Sequence, residues 1–223
     1  ARTSNTEATH PTAGRLTQTY GRVEARIEIP AGRGVGPAFC MLGSNIGSVG
    51  WPSCGEIDIM EAVSDFSVNH GTIHGPGYSG GGGITASYSL PNGKAFADDF
   101  HTFAVDWSPN AITWSVDGQT YQTRKPADVN GNKWVFDHPF FIVLNLAVGG
   151  NWPGSPNGST SFPQKMTVDY VRVSTSDSSG GGGSRTGAIK GIGGMCVDVA
   201  GASSADGTPI QLHDCTGVDA QKW

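Results

Sequence analysis

The chain has 223 residues (23.1 kDa), enough for one full-sized domain and an appendage, and its 14 Lys+Arg against 19 Asp+Glu leave a formal net charge of −5. That balance offers no basic excess to neutralise phosphates, which excludes nucleic acid as the main partner. The longest apolar run, 140–144, is far short of the roughly 20 residues of a membrane-spanning helix, so no membrane role is expected.

Residues 1–14 are polar and weakly patterned, with no hydrophobic export segment. Nine stretches then read as strands, each closed by turn-forming residues: 20–29, 37–42, 55–60, 68–74, 84–90, 100–107, 112–116, 140–148 and 166–173. In the first of these Val23, Ala25, Ile27 and Ile29 share one face. The third-last, 112–116, is followed by Asp117-Gly118 and a second arm at 119–123, the pattern of a two-residue hairpin. Gly, at 34 residues, is about twice as frequent as the usual ~7%. No long window carries a helical period, so an all-α fold is excluded and an all-β antiparallel sandwich or barrel is expected.

Near residue 174 the composition changes. Residues 174–184 contain no apolar side chain and read as a Gly/Ser linker. Three parts are expected: a catalytic sandwich over 1–173, a linker over 174–185, and a small unit over 186–223 that is too short to build a core alone. Cys196 and Cys215 fall in that last piece, where a disulfide is the usual staple, and such usage points to an extracellular protein. Cys40 and Cys54 flank a Gly-rich turn, and either a bridge or two buried thiols fits their positions. None of the four cysteines has a zinc-type spacing.

The densest chemistry lies in 51–61. Glu56 and Asp58 share one face of a strand, with Ile57 and Ile59 on the other. Strict alternation sends Glu61 to the apolar face; a one-residue bulge near Ile59-Met60 returns it to the acids. Crowded carboxylates raise at least one pKa, and an ionised carboxylate beside a protonated one is the pair of a retaining glycosidase. The alternatives are a calcium site or a solvated polar face, but calcium loops are turn-like and this stretch is strand-like.

The spacing Glu56-x-Asp58-x-x-Glu61 resembles the signature of glycoside hydrolase family 16, in its bacterial endo-β-1,3-glucanase (laminarinase) branch. The resemblance continues through 20–26 (YGRVEAR), 36–39 (GPAF), 71–79 (GTIHGPGYS), 103–107 (FAVDW), 144–154 (LNLAVGGNWPG) and 168–173 (VDYVRV). It implies a jelly-roll β-sandwich with an open concave cleft, acting as a secreted, monomeric hydrolase on β-glucan. Carried over by position, Glu56 is the nucleophile, Glu61 the general acid/base and Asp58 the tuning carboxylate, and no cofactor is needed for catalysis. His74 is placed against Glu61 or the leaving sugar, and Asp169 where a structural calcium is held. Same-family action on mixed-linkage β-glucan or a galactan is the first alternative. A non-catalytic β-glucan-binding protein, or an inactive fragment, is the second.

Sugar rings have apolar faces and polar rims, which suits Trp51 and Trp152, each in a loop beside a Pro, as platforms. Trp107 is a further candidate contact, while Trp114 and Trp134 are assigned to the core. Asn145 interrupts the apolar run 140–148 and is expected to face the cleft, because burying it unpaired is costly. The chain departs from the family in lacking roughly sixty residues before position 20, and in having Cys40 where an aromatic is usual. The tail resembles the first lobe of a ricin-type β-trefoil (carbohydrate-binding module family 13), with Asp198 as the lobe's sugar-binding acid and Gln221-Lys222-Trp223 as its Gln-x-Trp signature. Only one of three lobes is present.

Overall fold

The computed structural model describes residues 6–63, 66–175, 196–202, 210–218 and 221. The chain divides into two compact units, Ala1–Ser176 and Asp177–Trp223. The first contains β1 (Thr6–Pro11), β2 (Gly21–Glu28), β3 (Val35–Gly43), β4 (Glu56–Glu61), β5 (Val68–His74), β6 (Ile84–Ser89), β7 (His101–Ser108), β8 (Ala111–Val116), β9 (Gln119–Arg124), β10 (Phe140–Val148) and β11 (Thr167–Ser174). Among the described residues the helical content is one α-turn, Ile46–Val49, and a few 3-10 turns.

Two antiparallel sheets result, ordered β1-β10-β3-β4-β5-β6 and β11-β2-β7-β8-β9. The chain changes sheet at β1/β2, β2/β3, β6/β7, β9/β10 and β10/β11, as in a jelly roll, while β3–β6 and β7–β9 each stay within one sheet. Period-two patterning explains the stacking. Val23, Ala25 and Ile27 of β2, Phe103, Val105 and Trp107 of β7, and Ile112, Trp114 and Val116 of β8 point inward from one sheet. Phe39 and Met41 of β3, Ile57 and Ile59 of β4, and Phe140 and Ile142 of β10 meet them from the other. Every one of these side chains is at most 3% exposed. The Asp117-Gly118 turn is two residues long, with φ of 49° and 79°, the doubly positive geometry that a twisted hairpin favours.

One element differs from expectation. The polar segment expected to lack a strand forms β1, which pairs with β10 from Thr6 opposite Val148 to Pro11 opposite Val143. Its pairing is satisfied by backbone groups, which apolar periodicity does not report. Thr12 locks the end: its amide donates to the Ile142 carbonyl (2.8 Å), and its hydroxyl oxygen accepts the Ile142 amide (2.9 Å).

In the second unit β12 (Cys196–Val199) pairs with β13 (Ile210–His213), and a Cys196–Cys215 disulfide ties the ends. The buried Gln221 amide braces the following loop, donating to the Asp214 carbonyl (2.8 Å) and accepting the Thr216 amide (2.9 Å). Most of the expected linker, and Lys222 and Trp223 of the expected signature, lie outside the described residues. Cys40 and Cys54 are both buried thiols with no bridge between them.

Candidate active site

The site grows out of a counting mismatch on β4. Against β3, Phe39 faces Met60 and Cys40 faces Asp58; against β5, Asp58 faces Thr72 and Glu61 faces His70. One residue of β4 is therefore supernumerary on both sides. Ile59 and Met60 both turn inward, at 1% and 0% exposure, and Glu61 emerges on the face of Glu56 and Asp58. This is the bulge that the spacing of the acids requires.

A bulge interrupts the ladder and leaves backbone groups that need other partners. The opposite sheet supplies them. Trp114 of β8 donates its indole N–H across the core to the Asp58 carbonyl (2.7 Å), and Gln122 of β9 donates its amide to the Gly71 carbonyl (2.8 Å). Gly71 is a glycine because a Cβ there would collide with the Tyr121 hydroxyl, the Gln122 amide and the Trp114 ring. The catalytic face is thus pinned from behind by side chains that never reach it.

On the open face, Glu56, Asp58 and Glu61 line a cleft of about 450 Å³. The Trp51 indole donates to Glu56 Oε2 (2.7 Å), which fixes that carboxylate. Asp58 is only 2% exposed, and burial followed by the Glu56 charge pushes its carboxyl well above the usual range. Glu61 is pushed up to about 9, first by burial and then by Asp58 and Glu56, with His74 opposing. Glu61 therefore holds its proton at neutral pH, and Asp58 is shifted in the same direction. His74 Nε2 lies 3.1 Å from Asp58 Oδ2, in an approach too bent for a hydrogen bond, so the contact is electrostatic. Its closest partner among the acids is thus Asp58, and its influence also reaches Glu61.

Ala38, Cys40 and Leu42 of β3 and Phe141, Val143, Asn145 and Ala147 of β10 continue the cleft floor, with Trp152 and Pro153 at one end. Trp51 and Trp152 are 47% and 51% exposed, which leaves their faces open. Trp107 is a correction. It is 3% exposed in the inter-sheet core, its N–H taken by the Phe136 carbonyl (3.0 Å), so it cannot touch a sugar. His70 was missed: it stands opposite Glu61, with its ring edge-on to Trp152 (5.2 Å between centroids) and Nδ1 3.0 Å from Ser87 Oγ. Stepping back two and four residues from His74 along β5 reaches Thr72 and His70, so alternation alone would have found it.

Asp169 sits at a β11 bulge with its carboxylate on the Arg26 guanidinium (2.8 Å). Among the described residues, no cluster of three metal-ligating side chains includes Asp169. Asp198 lies on β12 opposite Gln211, and its side chain falls outside the described part.

The family model for glycosyl hydrolases family 16 matches residues 4–172. A β-glucanase from Rhodothermus marinus is 39% identical over 75% of this chain and 62% of its own, so the chain spans less than two thirds of that curated relative. The catalytic domain of an endo-1,3-β-glucanase (laminarinase) from Thermotoga petrophila superposes with a TM-score of 0.72 at 50% identity, covering 74% of this chain and 67% of that one. An endo-β-1,3-glucanase from Pyrococcus furiosus also gives 0.72, at 54% identity, covering 74% and 65%.

Proposed function

The chain belongs to glycosyl hydrolases family 16, and from that premise we propose that its cleft hydrolyses internal β-1,3 bonds of a laminarin-type glucan with retention of configuration. The observation that carries this reading is the division of labour among three acids on one face: Glu56 anchored by Trp51, and Glu61 holding a proton up to about 9. Glu56 attacks the anomeric carbon while Glu61 gives its proton to the departing glycosidic oxygen. Glu61, now ionised, takes a proton from the water that releases the glycosyl-enzyme, and the cycle closes with both groups restored. Asp58, pushed toward its neutral form by burial and the Glu56 charge, eases the repulsion among three adjacent carboxylates. Water is the only co-reactant, and no cofactor enters.

Trp51 and Trp152 are the platforms on which sugar rings stack, with Asn145 and His70 meeting hydroxyls at the rim. The β-1,3 preference is supported by the endo-1,3-β-glucanase relatives from Thermotoga petrophila and Pyrococcus furiosus. The proposed organisation is a catalytic unit over 1–173, a linker over 174–185, and a first β-trefoil lobe over 186–223 that adds sugar contacts through Asp198. A secreted, monomeric protein is proposed with it, supported by the Cys196–Cys215 disulfide. Reducing-end release from laminarin, measured beside Glu56→Gln, tests the core of this reading. Release that disappears in the variant is expected. Release that survives it removes Glu56 as nucleophile, and no release from either protein removes the activity.

A further inference from the structure

We propose that Cys40, Glu56 and Asp58 form a binding site for one thiophilic divalent cation of the zinc or cadmium class, and that filling it blocks the cleft. One ligand atom from each of the three residues lies within 4.8 Å of the other two. The register explains the clustering: Cys40 on β3 stands directly opposite Asp58 on β4, and Glu56 follows two residues before on the same face. All three line the cleft, so an ion arriving from solvent can reach them.

A second observation points to a ligand here independently of the cluster. Asp58 is 2% exposed, yet its Oδ2 has no hydrogen-bond partner, because the nearby His74 ring N–H is misaligned. Buried carboxylate oxygens are almost always satisfied, and a cation supplies what this one lacks. The donor set decides which cation. Calcium and magnesium take oxygen ligands only, whereas sulfur with two carboxylate oxygens suits zinc or cadmium. Tetrahedral zinc, with bonds of about 2.0–2.3 Å, holds its ligand atoms roughly 3.3–3.7 Å apart, so rotations closing about 1 Å complete the site. The fourth position opens to the cleft and takes a water.

The ion binds Cys40 as the thiolate and Asp58 as the carboxylate, and any proton either group holds passes to solvent. Three anionic ligands around a doubly charged ion then leave the cluster with one net negative charge. Glu56 is bound in this state, its charge drawn to the ion, and the ion stands between it and the anomeric carbon, so attack is blocked. Binding does not depend on the proposed hydrolysis; the inhibitory consequence does.

The full chain, freed of metal by chelation, is titrated with Cd2+ while the thiolate-to-cadmium charge-transfer band is followed in the ultraviolet. One Cd2+ per chain is expected, with the band lost in Cys40→Ser and retained in Cys54→Ser. Calorimetry with Zn2+ is expected to show at least about tenfold weaker binding for Cys40→Ser, as loss of a ligand implies. Should Cys40→Ser fail to fold, Cys40→Ala takes its place. A band that persists in the Cys40 variant, or no band at millimolar Cd2+, overturns the site. For inhibition, laminarin release by the parent is expected to fall with Zn2+ and recover with chelator, while the Cys40 variant keeps its own metal-free rate. Equal Zn2+ inhibition of both overturns the blocking role. A chain that binds Cd2+ through Cys40 but never releases sugar upholds the site and refutes the hydrolase reading alone.

Discussion

Replacing Trp114 by Phe separates the support of the bulge from the stability of the core. Trp114 is fully buried, and its N–H is the donor seen at the Asp58 carbonyl, 2.7 Å away. Phe retains an aromatic ring but leaves that buried carbonyl without its donor, at a cost of roughly 1–3 kcal/mol. The missing atoms open about 40 Å³, which at ~24 cal/mol per Å³ adds about 1 kcal/mol. Trp107 provides the matched control. It is equally buried and loses an equivalent bond, 3.0 Å to the Phe136 carbonyl, but away from the acids. Both variants are therefore expected to lose about 2–4 kcal/mol in urea unfolding, several degrees in Tm for a domain of this size. They should part on laminarin. Trp114→Phe frees the β4 backbone between Asp58 and Glu61, and misplacements of an ångström cost up to about a hundredfold in rate, so kcat should fall at least tenfold. Trp107→Phe should stay within about twofold, as expected for a site without substrate contact. Equal kcat losses in the two proteins, or an unchanged kcat in Trp114→Phe, would refute the view that the far sheet positions the acids.

Glu61→Gln should make the stability less dependent on pH. In the folded chain Glu61 keeps its proton up to about 9, against 4.5 for the ordinary group. The folded state thus binds the extra proton across this window, and stability falls as pH rises through it, levelling above about 9. Gln does not titrate, so its urea midpoint should gain on the parent's from about pH 5 to about pH 9; a constant difference contradicts the assignment. Gly71→Ala should cost at least about 1–3 kcal/mol in unfolding free energy through overpacking against Tyr121, Gln122 and Trp114, and an unchanged Tm would mean the sheets can part there. Trp152→Ala should raise KM for laminarin several-fold while changing stability by less than about 0.5 kcal/mol, because the ring is half exposed; unchanged KM removes it from the binding surface.

What sequence revealed and what it concealed divide along a physical line. Alternation exposed the inward faces of β2, β7 and β8, and the odd spacing of Glu56, Asp58 and Glu61 required the bulge, because one extra residue is the least that brings all three to one face. Residues paired across strands were harder to place. His74 meets Asp58, and Cys40 meets Asp58 from the other side, through registers that no local pattern encodes. Trp107 shares its inward face with Phe103 and Val105, an alternation that places it in the core rather than against a sugar. The indole of Trp114 was assigned to the core, but its hydrogen bond to the bulge arises only when two sheets stack. β1 escaped notice because main-chain pairing needs no apolar side chains.

That first strand has a consequence for solubility. β10 reads FFIVLNLAV: nine residues without charge, proline or glycine, rich in β-branched and aromatic side chains. Such a segment with a free edge is a template for intermolecular cross-β pairing. β3 occupies one edge and β1 the other, so the most aggregation-prone run of the chain has its edges covered only while a polar hexapeptide, TEATHP, remains in register. Proteolytic clipping ahead of residue 12 would leave Glu56, Asp58 and Glu61 in place and yet bare one edge of β10 to pairing with other chains.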